Sequence, residues 1–253
     1  MKALGIIPAR YGSTRLPGKP LELIGGLPMV HCVWLAAIGS KLDGVVVATD
    51  NSKIFDYCQS QSINVVLTSS KHLSGTDRII EVMEMPEYTD YDVYVNIQGD
   101  EPLLKSADID KLVEAIYTNE TNEIATLVTD LEYSEMKKRS CVKAFISDSV
   151  TDIGNGQFGK IQMFTRSSLY GNPIDTAEVS FKKHIGIYAF RRSSLVKISK
   201  LVTQSENEIA ESLEQLRWLD SGLSISGVHT DSKTVSIDTP EDLKLINSLF
   251  IKS

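Results

Sequence analysis

The residues best suited to chemistry in this 253-residue sequence begin in a basic segment near the N-terminus. Residues 1–21 contain two lysines and two arginines but no acidic residue, although the whole chain has a formal net charge of −7. A triphosphate is bound by backbone N–H groups of a glycine-containing turn and by Arg and Lys side chains. The segment therefore predicts a loop that binds the triphosphate of a nucleotide, and the alternative is a solvated basic loop. The candidate residues are Arg10, Gly12, Ser13, Arg15 and Lys19.

Two aspartates far apart in the sequence have the chemistry of magnesium ligands. Asp100 lies where a predicted strand runs out into Gly-Asp-Glu-Pro, which places its carboxylate at the carboxyl end of that strand. Mg²⁺ prefers oxygen ligands and is usually held by one or two carboxylates together with substrate phosphates. Asp238 precedes a Thr-Pro-Glu-Asp helix start at residues 239–242, which leaves Asp238 itself unexplained. We therefore predict that both aspartates hold Mg²⁺, while the alternative for Asp100 is an aspartate that only begins a turn.

A polar segment in the first half of the chain is a further candidate. Ser74 or Thr76 can cap the helix that follows, so helix capping alone explains both residues. Arg78 falls in the first turn of that helix, where a cation opposes the helix dipole. A bound anion or the polar edge of a base would account for this arginine.

Two later motifs contain polar side chains whose role the residues alone leave open. His184 and Tyr188 lie on a predicted strand, where a lone histidine is more often structural than functional. Glu211 and Gln215 lie in a segment predicted to be one helix, and a solvated polar face is the ordinary explanation for them. The opposite face of this helix would carry the apolar residues Ile209, Leu213 and Leu216.

Strand-like and helical patterns alternate along the chain. Strands are predicted at Ala3–Ile7, Gly44–Thr49, Asn64–Thr68, Asp92–Ile97, Ile124–Val128, Val142–Ile146 and Ile185–Arg191. Helices are predicted at about Met29–Ser40, Ser52–Ser60, Thr76–Met85 and Ala107–Thr118. Such alternation is typical of an α/β fold with a mostly parallel sheet between helices, in which ligands bind at the carboxyl ends of the strands. We expect a single domain over residues 1–253, with a hairpin or arm outside the sheet at about residues 148–180, where turn signals cluster.

Composition narrows the class of protein. The acidic net charge argues against binding to nucleic acid or to an anionic membrane. No apolar run is long enough to cross a bilayer, and the N-terminal apolar run is too short for a signal peptide. The three cysteines are scattered and have no C-x-x-C spacing, so neither a disulfide framework nor a zinc site is indicated. We expect a cytoplasmic protein with reduced thiols.

Taken in order, these motifs resemble those of the 3-deoxy-manno-octulosonate (Kdo) cytidylyltransferases, also called CMP-Kdo synthetases. Sugar-nucleotide synthetases in general share only a looser version of the first motif. The combination of PGKP, SGTDR, NIQGDEP and SLEQLR is more specific. The matching segments span nearly the whole chain and read IPARYGSTRLPGKPL, VVVATDN, HLSGTDRI, VNIQGDEP, HIGIYAFRR, ESLEQLR and VSIDTPEDL.

The resemblance implies a three-layer α/β/α sandwich of the nucleotide-diphospho-sugar transferase type, with a mostly parallel mixed sheet, and a homodimer with a small dimerisation arm. It implies Mg²⁺-dependent transfer of CMP from CTP to Kdo, with release of pyrophosphate, to supply CMP-Kdo for lipopolysaccharide or capsule. It places Arg10, Arg15 and Lys19 on the triphosphate and Asp100 and Asp238 on the metal. It also implies that Ser74, Arg78 and Gln98 lie beside the nucleotide, and that the sugar site is lined by Gln98, His184, Tyr188, Glu211 and Gln215.

The sequence departs from this family in two places that bear on the sugar and on dimer contacts. Lys138-Arg139-Ser140-Cys141 stands where many members have Asn-Pro-Asn, and Tyr170 stands where members usually have proline. The same reaction on a related acid sugar, such as an 8-amino Kdo analogue or a sialic-type acid, is therefore the nearest alternative. A glycosyltransferase on the same fold and a non-catalytic nucleotide-binding regulator are the others. The regulator would require loss of a metal or phosphate contact, and none of the candidate residues is missing.

Overall fold

The computed structural model describes residues 1–12, 15–147, 151–152, 157–168, 179–232 and 235–250. Its strands are β1 (Ala3–Ala9), β2 (Leu23–Ile24), β3 (Leu27–Pro28), β4 (Gly44–Thr49), β5 (Val65–Leu67), β6 (Val93–Asn96), β7 (Ile124–Asp130), β8 (Lys143–Ser147), β9 (Thr151–Asp152), β10 (Gln157–Thr165), β11 (Val179–Arg191) and β12 (Ile225–His229). Its α-helices are α1 (Met29–Ile38), α2 (Ser52–Ser60), α3 (Gly75–Glu84), α4 (Ser106–Thr118), α5 (Arg192–Ile198), α6 (Glu206–Glu211), α7 (Gln215–Asp220) and α8 (Pro240–Phe250).

The chain divides into two compact units. The first contains Met1–Asp110 together with Lys233–Ser253, and the second contains Lys111–Ser232. The first boundary lies inside α4, so no linker in the sequence marks it. The prediction of a single domain was based on the absence of such a linker. None of the helices in the described ranges is long and apolar enough to cross a membrane.

The first unit is built on a parallel sheet in the order β5-β4-β1-β6. Leu4, Ile6 and Ile7 of β1 are almost completely buried, although neighbouring residues point to opposite faces of the sheet. This strand is therefore covered on both faces, as its continuous apolar run predicts. The carboxyl ends of β1, β4 and β6 lie at one edge of the sheet, which is where the fold rule places a ligand.

The two ends of the first unit meet in a small apolar cluster. Leu16 lies within the basic loop, while Ile237 and Ile246 belong to the C-terminal segment, and all three are buried together with Ile24 and Met29. The backbone N–H of Ile237 also donates to the carbonyl of Asp100 at 3.0 Å. Burial of these side chains thus brings residues near position 238 to the edge of the sheet where β1 and β6 end.

The second unit contains a mainly antiparallel sheet. Strand β7 pairs antiparallel with β11 and parallel with β12, and β10 pairs antiparallel with β12 and β8. The first part of β11 pairs with β8, so the five strands form a closed circuit of pairings. The predicted mixed sheet is therefore confirmed, since parallel and antiparallel pairings both occur, but the strands are mostly parallel only in the first unit. The structure as a whole is a mixed α/β fold.

Two other predictions are corrected by the second unit. Strand β10 falls within the predicted hairpin or arm and pairs antiparallel with β9, as a hairpin would, but it lies between β12 and β8 in the sheet rather than outside it. Residues 148–150, 153–156 and 169–178 of that arm lie outside the described residues. The helix expected around Glu211 and Gln215 is instead two short helices, α6 and α7, separated by Ser212 in the left-handed conformation with φ of 54°. Ile209 is consequently exposed, and Gln215 is buried.

Candidate active site

A cavity of about 280 Å³ opens at the carboxyl ends of the parallel strands of the first unit. It is lined by the ends of β1 and β6, by the basic loop, by the start of α3 and by the segment before α8. Most of the residues predicted to contact the nucleotide and the metal converge there. Those that line the cavity are Arg10, Arg15, Lys19, Ser74, Arg78, Gln98, Asp100 and Asp238. Gly12 is not among the lining residues, and Ser13 lies outside the described residues.

The two predicted magnesium aspartates share one cation. Lys19 Nζ lies 2.8 Å from Asp100 Oδ2 and 3.0 Å from Asp238 Oδ1. The Arg15 guanidinium reaches the other oxygen of Asp238, with Nη2 3.2 Å from Oδ2. The side chain of Lys19 is only 14% exposed, so this ammonium group lies well inside the cavity wall. Two carboxylates that are 138 positions apart in the sequence are thus held beside the cations that the sequence predicts to bind phosphate.

Local backbone geometry explains the position of Lys19. Gly18 has a φ of +71°, which is the left-handed region that glycine adopts readily. Its N–H donates to the carbonyl of Tyr11 at 3.1 Å, and a single 3₁₀ turn then runs from Lys19 to Leu21. Pro20 is buried in that turn. The Gly-Lys-Pro sequence therefore folds the basic loop back on itself and fixes the direction of the lysine.

Gly99 is required for a different reason. A Cβ atom on Gly99 would lie 2.7 Å from the carbonyl oxygen of Pro8, a distance that side-chain carbons do not tolerate. The end of β6 therefore approaches the end of β1 closely because residue 99 has no side chain. The glycine roles predicted from the sequence lie in the basic loop, and none was predicted for Gly99.

The start of α3 confirms helix capping and supplies an unexpected partner for Arg78. Ser74 Oγ accepts from the N–H of Asp77 at 3.1 Å, and Asp77 Oδ2 accepts from the N–H of Ser74 at 3.0 Å, which is a capping box. Arg78 is almost fully buried, and its guanidinium donates to Thr68 Oγ1 and to Asp50 Oδ2, the latter at 3.0 Å. An internal carboxylate thus balances the cation that sequence analysis attributed to a bound anion or base.

His72 is a lining residue that sequence analysis did not single out. Its Nε2 is hydrogen-bonded to Glu81 Oε2, and the same carboxylate oxygen accepts from the N–H of Ser69 at 2.8 Å. Burial opposes ionisation of Glu81, but these hydrogen bonds outweigh it and lower the pKa of this carboxyl group. Glu81 therefore stays ionised and anchors the loop that leads into Ser74. The signal in the sequence was the position of His72 two residues before a capping serine.

The oxygen donors in the cavity fit Mg²⁺. Within the described ranges, no group of three or more His, Cys, Asp or Glu side chains is placed to hold a metal ion. A complete protein cage is not needed, because Mg²⁺ is commonly held by one or two carboxylates and by phosphate oxygens of the substrate. Asp100 and Asp238 supply two carboxylates that already gather around one positive charge.

The other predicted sugar-site residues, which are His184, Tyr188, Glu211 and Gln215, belong to the second unit. His184 packs edge-on against Phe164, with ring centroids 4.9 Å apart, and lies 5.4 Å from Tyr188. Burial, assisted by the charge of Arg166, lowers the pKa of His184 to about 3. Burial and the nearby Glu214 raise the pKa of Tyr188. Both side chains are therefore neutral near pH 7.

Glu211 is held at the end of β10. Its Oε1 accepts from Thr165 Oγ1 at 2.7 Å, and its Oε2 accepts from the N–H of Arg166 at 2.8 Å. Burial opposes ionisation, yet these hydrogen bonds outweigh it and lower the pKa of Glu211. Gln215 begins α7 and is buried. Glu211 is thus an ordered carboxylate rather than part of a solvated helix face.

Lys143 is the most unusual residue nearby, and no role was predicted for it from the sequence. This lysine is fully buried, and its Nζ donates to the carbonyls of Lys138 and Ser167 at 2.8 and 3.1 Å. Burial lowers its pKa. A lysine within the apolar pattern of a strand was the signal that could have found it. It ties the segment before β8 to the turn after β10, next to the residues that bind Glu211.

The chain is similar to known cytidylyltransferases over nearly its whole length. Residues 4–225 match the Cytidylyltransferase family. The 3-deoxy-manno-octulosonate cytidylyltransferase of Fusobacterium nucleatum subsp. nucleatum is 39% identical over 247 residues, which cover 97% of this chain and 96% of that protein. The protein of the same name from Parabacteroides distasonis is also 39% identical over 247 residues and covers 96% of each chain.

Solved structures agree with these relatives. A structure of CMP:2-keto-3-deoxy-manno-octonic acid synthetase complexed with CTP matches with a TM-score of 0.88 and 35% identity, covering 100% of this chain and 99% of that one. A cytidylyltransferase from Leptospira borgpetersenii shares the fold, with a TM-score of 0.63 at 18% identity, over 100% of this chain and 88% of that one. By sequence and by fold, the chain belongs to the cytidylyltransferase family, among the 3-deoxy-manno-octulosonate cytidylyltransferases.

Proposed function

We propose that this protein transfers CMP from CTP to the anomeric hydroxyl of Kdo and releases pyrophosphate, supplying CMP-Kdo for lipopolysaccharide or capsule. The observation that carries the proposal is the convergence of Lys19 with Asp100 and Asp238 in the cavity of the first unit. Arg10 and Arg15 line the same cavity, so cations and carboxylates occur together where a nucleotide triphosphate would bind. The names of the relatives, which cover nearly the whole chain, support the same reaction.

In the proposed reaction, the anomeric oxygen of the sugar acid attacks the α-phosphorus of CTP in line with the leaving pyrophosphate. One phosphorus–oxygen bond forms while the bond between the α-phosphorus and the bridging oxygen breaks; the bonding electrons leave with pyrophosphate, and the proton of the anomeric hydroxyl passes to solvent water. Such transfer relies mainly on positioning and on neutralisation of charge. Arg10, Arg15 and Lys19 supply positive charge for the triphosphate and for the charge that builds on pyrophosphate. No covalent intermediate with the protein is required.

Asp100 and Asp238 would hold Mg²⁺ in this site. When bound, the ion would neutralise charge on the α-phosphate and lower the pKa of the attacking hydroxyl. The contribution of the chain is to keep two carboxylates close together before substrate arrives. Lys19 does this directly, since its ammonium group is hydrogen-bonded to both.

We propose that the sugar acid is bound by Gln98 and by the second-unit residues His184, Tyr188, Glu211 and Gln215. The order of Glu211 and the neutral state of His184 support ligand contacts by these groups. The departures from the family at residues 138–141 and at Tyr170 leave the related acid sugars as the competing substrates.

The test is a pyrophosphate-release assay with CTP, Mg²⁺ and a panel of acid sugars. We expect release with CTP and Kdo, no release with the other nucleoside triphosphates, and a loss of kcat in Asp100→Asn. A higher kcat/KM with an 8-amino or sialic-type acid would replace Kdo as the substrate. Absence of release with every sugar would refute the enzyme assignment. Wild-type kcat in Asp100→Asn at saturating Mg²⁺ would refute its role as a metal ligand.

We also propose a three-layer α/β/α arrangement, a homodimer with a dimerisation arm, and a cytoplasmic location. The burial of β1 on both faces supports helices on each side of the parallel sheet. The acidic net charge agrees with a protein that binds neither nucleic acid nor a membrane. Sedimentation of the purified chain would test the dimer, and a monomer at micromolar concentration would contradict it.

A further inference from the structure

Thr126 of β7 lies opposite an irregularity in β11. The pairing of these strands passes from Ile185 opposite Leu127 directly to Tyr188 opposite Thr126, so two residues of β11 bulge out of register. The Thr126 side chain is fully buried at this point. Its hydroxyl oxygen lies 2.8 Å from the carbonyl oxygen of Ile187, 3.1 Å from that of Ile185 and 3.0 Å from His184 Nε2.

These three distances determine where the protons lie. A hydroxyl group has one hydrogen, and a carbonyl oxygen has none to donate. The oxygen–oxygen distance of 2.8 Å to Ile187 therefore requires the Thr126 hydrogen to point toward the carbonyls, because two lone pairs would otherwise face each other. The Thr126 oxygen is then an acceptor toward His184, and Nε2 must carry the hydrogen of that bond. In the neutral ring, Nδ1 is consequently the atom with a free lone pair.

Two other polar groups of this cluster face Thr126 or lie beside it. Among the described residues, Nδ1 of His184 has no hydrogen-bond partner. The Tyr188 hydroxyl is buried and has no partner at hydrogen-bonding geometry, although it lies near enough to Thr126 for that side chain to offset part of the rise in the pKa of Tyr188. The two rings are neighbours, with centroids 5.4 Å apart. An acceptor nitrogen next to a phenol suits a ligand hydroxyl, which can donate to one group and accept from the other.

We propose that Thr126 is a positioning residue that fixes His184 as the neutral tautomer protonated on Nε2, so that Nδ1 accepts a hydrogen bond from a hydroxyl group of the sugar acid. The proposal of a sugar contact rests on the proposed function, whereas the tautomer does not. The low pKa of His184 agrees with a neutral ring throughout the physiological range.

The tautomer is tested by ¹⁵N NMR of the full chain labelled on histidine, without substrate, near pH 7. The chain has four histidines, and His184→Gln identifies the resonances of residue 184. We expect the protonated nitrogen of His184 to be Nε2 in the wild type and in Thr126→Ser, which retains a hydroxyl group. Thr126→Val has a similar shape but no acceptor, so the Nε2-protonated form should lose its dominance. If the wild-type His184 ring is protonated on Nδ1, or on both nitrogens, that result alone overturns the proposal. The proposal is also overturned if His184 in Thr126→Val remains fully protonated on Nε2.

The functional part is tested by steady-state kinetics of pyrophosphate release with CTP and Kdo. We expect Thr126→Val to raise KM for Kdo by roughly 2- to 10-fold, the range of a single neutral hydrogen bond, while KM for CTP stays unchanged. Thr126→Ser should restore the wild-type value. An unchanged KM for Kdo in a variant that has lost the tautomer would overturn the sugar contact. Absence of turnover by the wild type would instead refute the proposed function, and the NMR result would still decide the tautomer.

Discussion

Replacing Lys19 with methionine tests the charge arrangement on which the proposed function depends. Methionine keeps most of the apolar stem but removes the ammonium group that lies within 3.0 Å of both Asp100 and Asp238. The two carboxylates would then retain only Arg15, whose side chain is 65% exposed. The substitution therefore leaves two acidic groups close together with little to offset their repulsion.

The expected loss of stability follows from the exposure of these groups. Breaking a fully buried pair costs about 3–5 kcal/mol, whereas an exposed pair contributes about 0–1 kcal/mol. Asp100 and Asp238 are 25% and 39% exposed, so solvent screens much of the interaction. We expect Lys19→Met to lower the free energy of unfolding by about 1–2 kcal/mol. That loss corresponds to a decrease in Tm of about 2–8 °C for a chain of this length.

The catalytic loss should be larger than the structural one. Removal of a single group that stabilises charge in a transition state lowers kcat by roughly 10²- to 10³-fold. We therefore expect a decrease of that size in pyrophosphate release at saturating CTP and Mg²⁺. Mg²⁺ should also raise the Tm of Lys19→Met more than that of the wild type, because the same two carboxylates no longer bind a lysine.

Thermal unfolding with and without Mg²⁺, together with the kinetics, measures all three effects. Lys41→Met is the matched control, since Lys41 is an exposed lysine of the first unit. The control should keep wild-type kcat and a wild-type response to Mg²⁺. A Lys19→Met protein with wild-type kcat, or with an unaltered Tm in both conditions, would show that the ion pairs in the cavity have no role in catalysis or in stability.

Three further predictions concern other parts of the two units. Gly99→Ala should lower the free energy of unfolding by about 1–3 kcal/mol, because its Cβ would meet a backbone carbonyl. Gly12→Ala is the control: its Cβ would meet open space, so thermal unfolding should show a much smaller loss of stability. The pKa of His184 is lowered from 6.5 to about 3, so between these pH values the unfolded chain binds a proton that the folded chain excludes. The free energy of unfolding should therefore decrease as pH falls through this range, by up to about 1.4 kcal/mol per pH unit. In urea titrations, the unfolding free energy of His184→Gln should depend less on pH than that of the wild type. Arg78→Met and Asp50→Asn should be non-additive in unfolding free energy by about 0.5–3 kcal/mol, and simple additivity would mean that their contact contributes nothing.

The sequence predicted the elements of the first unit well because apolar periodicity determines them. Gly44–Thr49 and Ser52–Ser60 have the predicted bounds, and the other strands and helices predicted there differ by one or two residues at one or both ends. The short strands β2 and β3 were not predicted. The helix start at residues 239–242 is also confirmed, since Thr239 and Asp242 cap each other. In each case the signal is local: an apolar run, a capping pair or a glycine turn.

Predictions failed where contacts distant in the sequence override local pattern. A single helix through Glu211 and Gln215 satisfies the apolar spacing, yet Ser212 adopts φ of 54° and redirects the chain, so that Glu211 meets the end of β10. Strand β10 was missed because its pairing shifts between Ile161 and Met163, which interrupts strict alternation. The partner of Arg78 was missed because Asp50 is 28 residues away in the sequence, so no local pattern indicates their contact.

The convergence of Asp100 and Asp238 shows how packing can produce a site that neither local segment defines. The backbone bond between Ile237 and Asp100 and the burial of Ile237 beside Leu16 are contacts of the core, and they would form whatever residue 238 was. Once they form, position 238 lies within reach of Lys19, so a carboxylate there needs a cation nearby. A core residue next to an otherwise unexplained aspartate is therefore the useful signal in the sequence: Ile237 determines the location, and Asp238 supplies the chemistry.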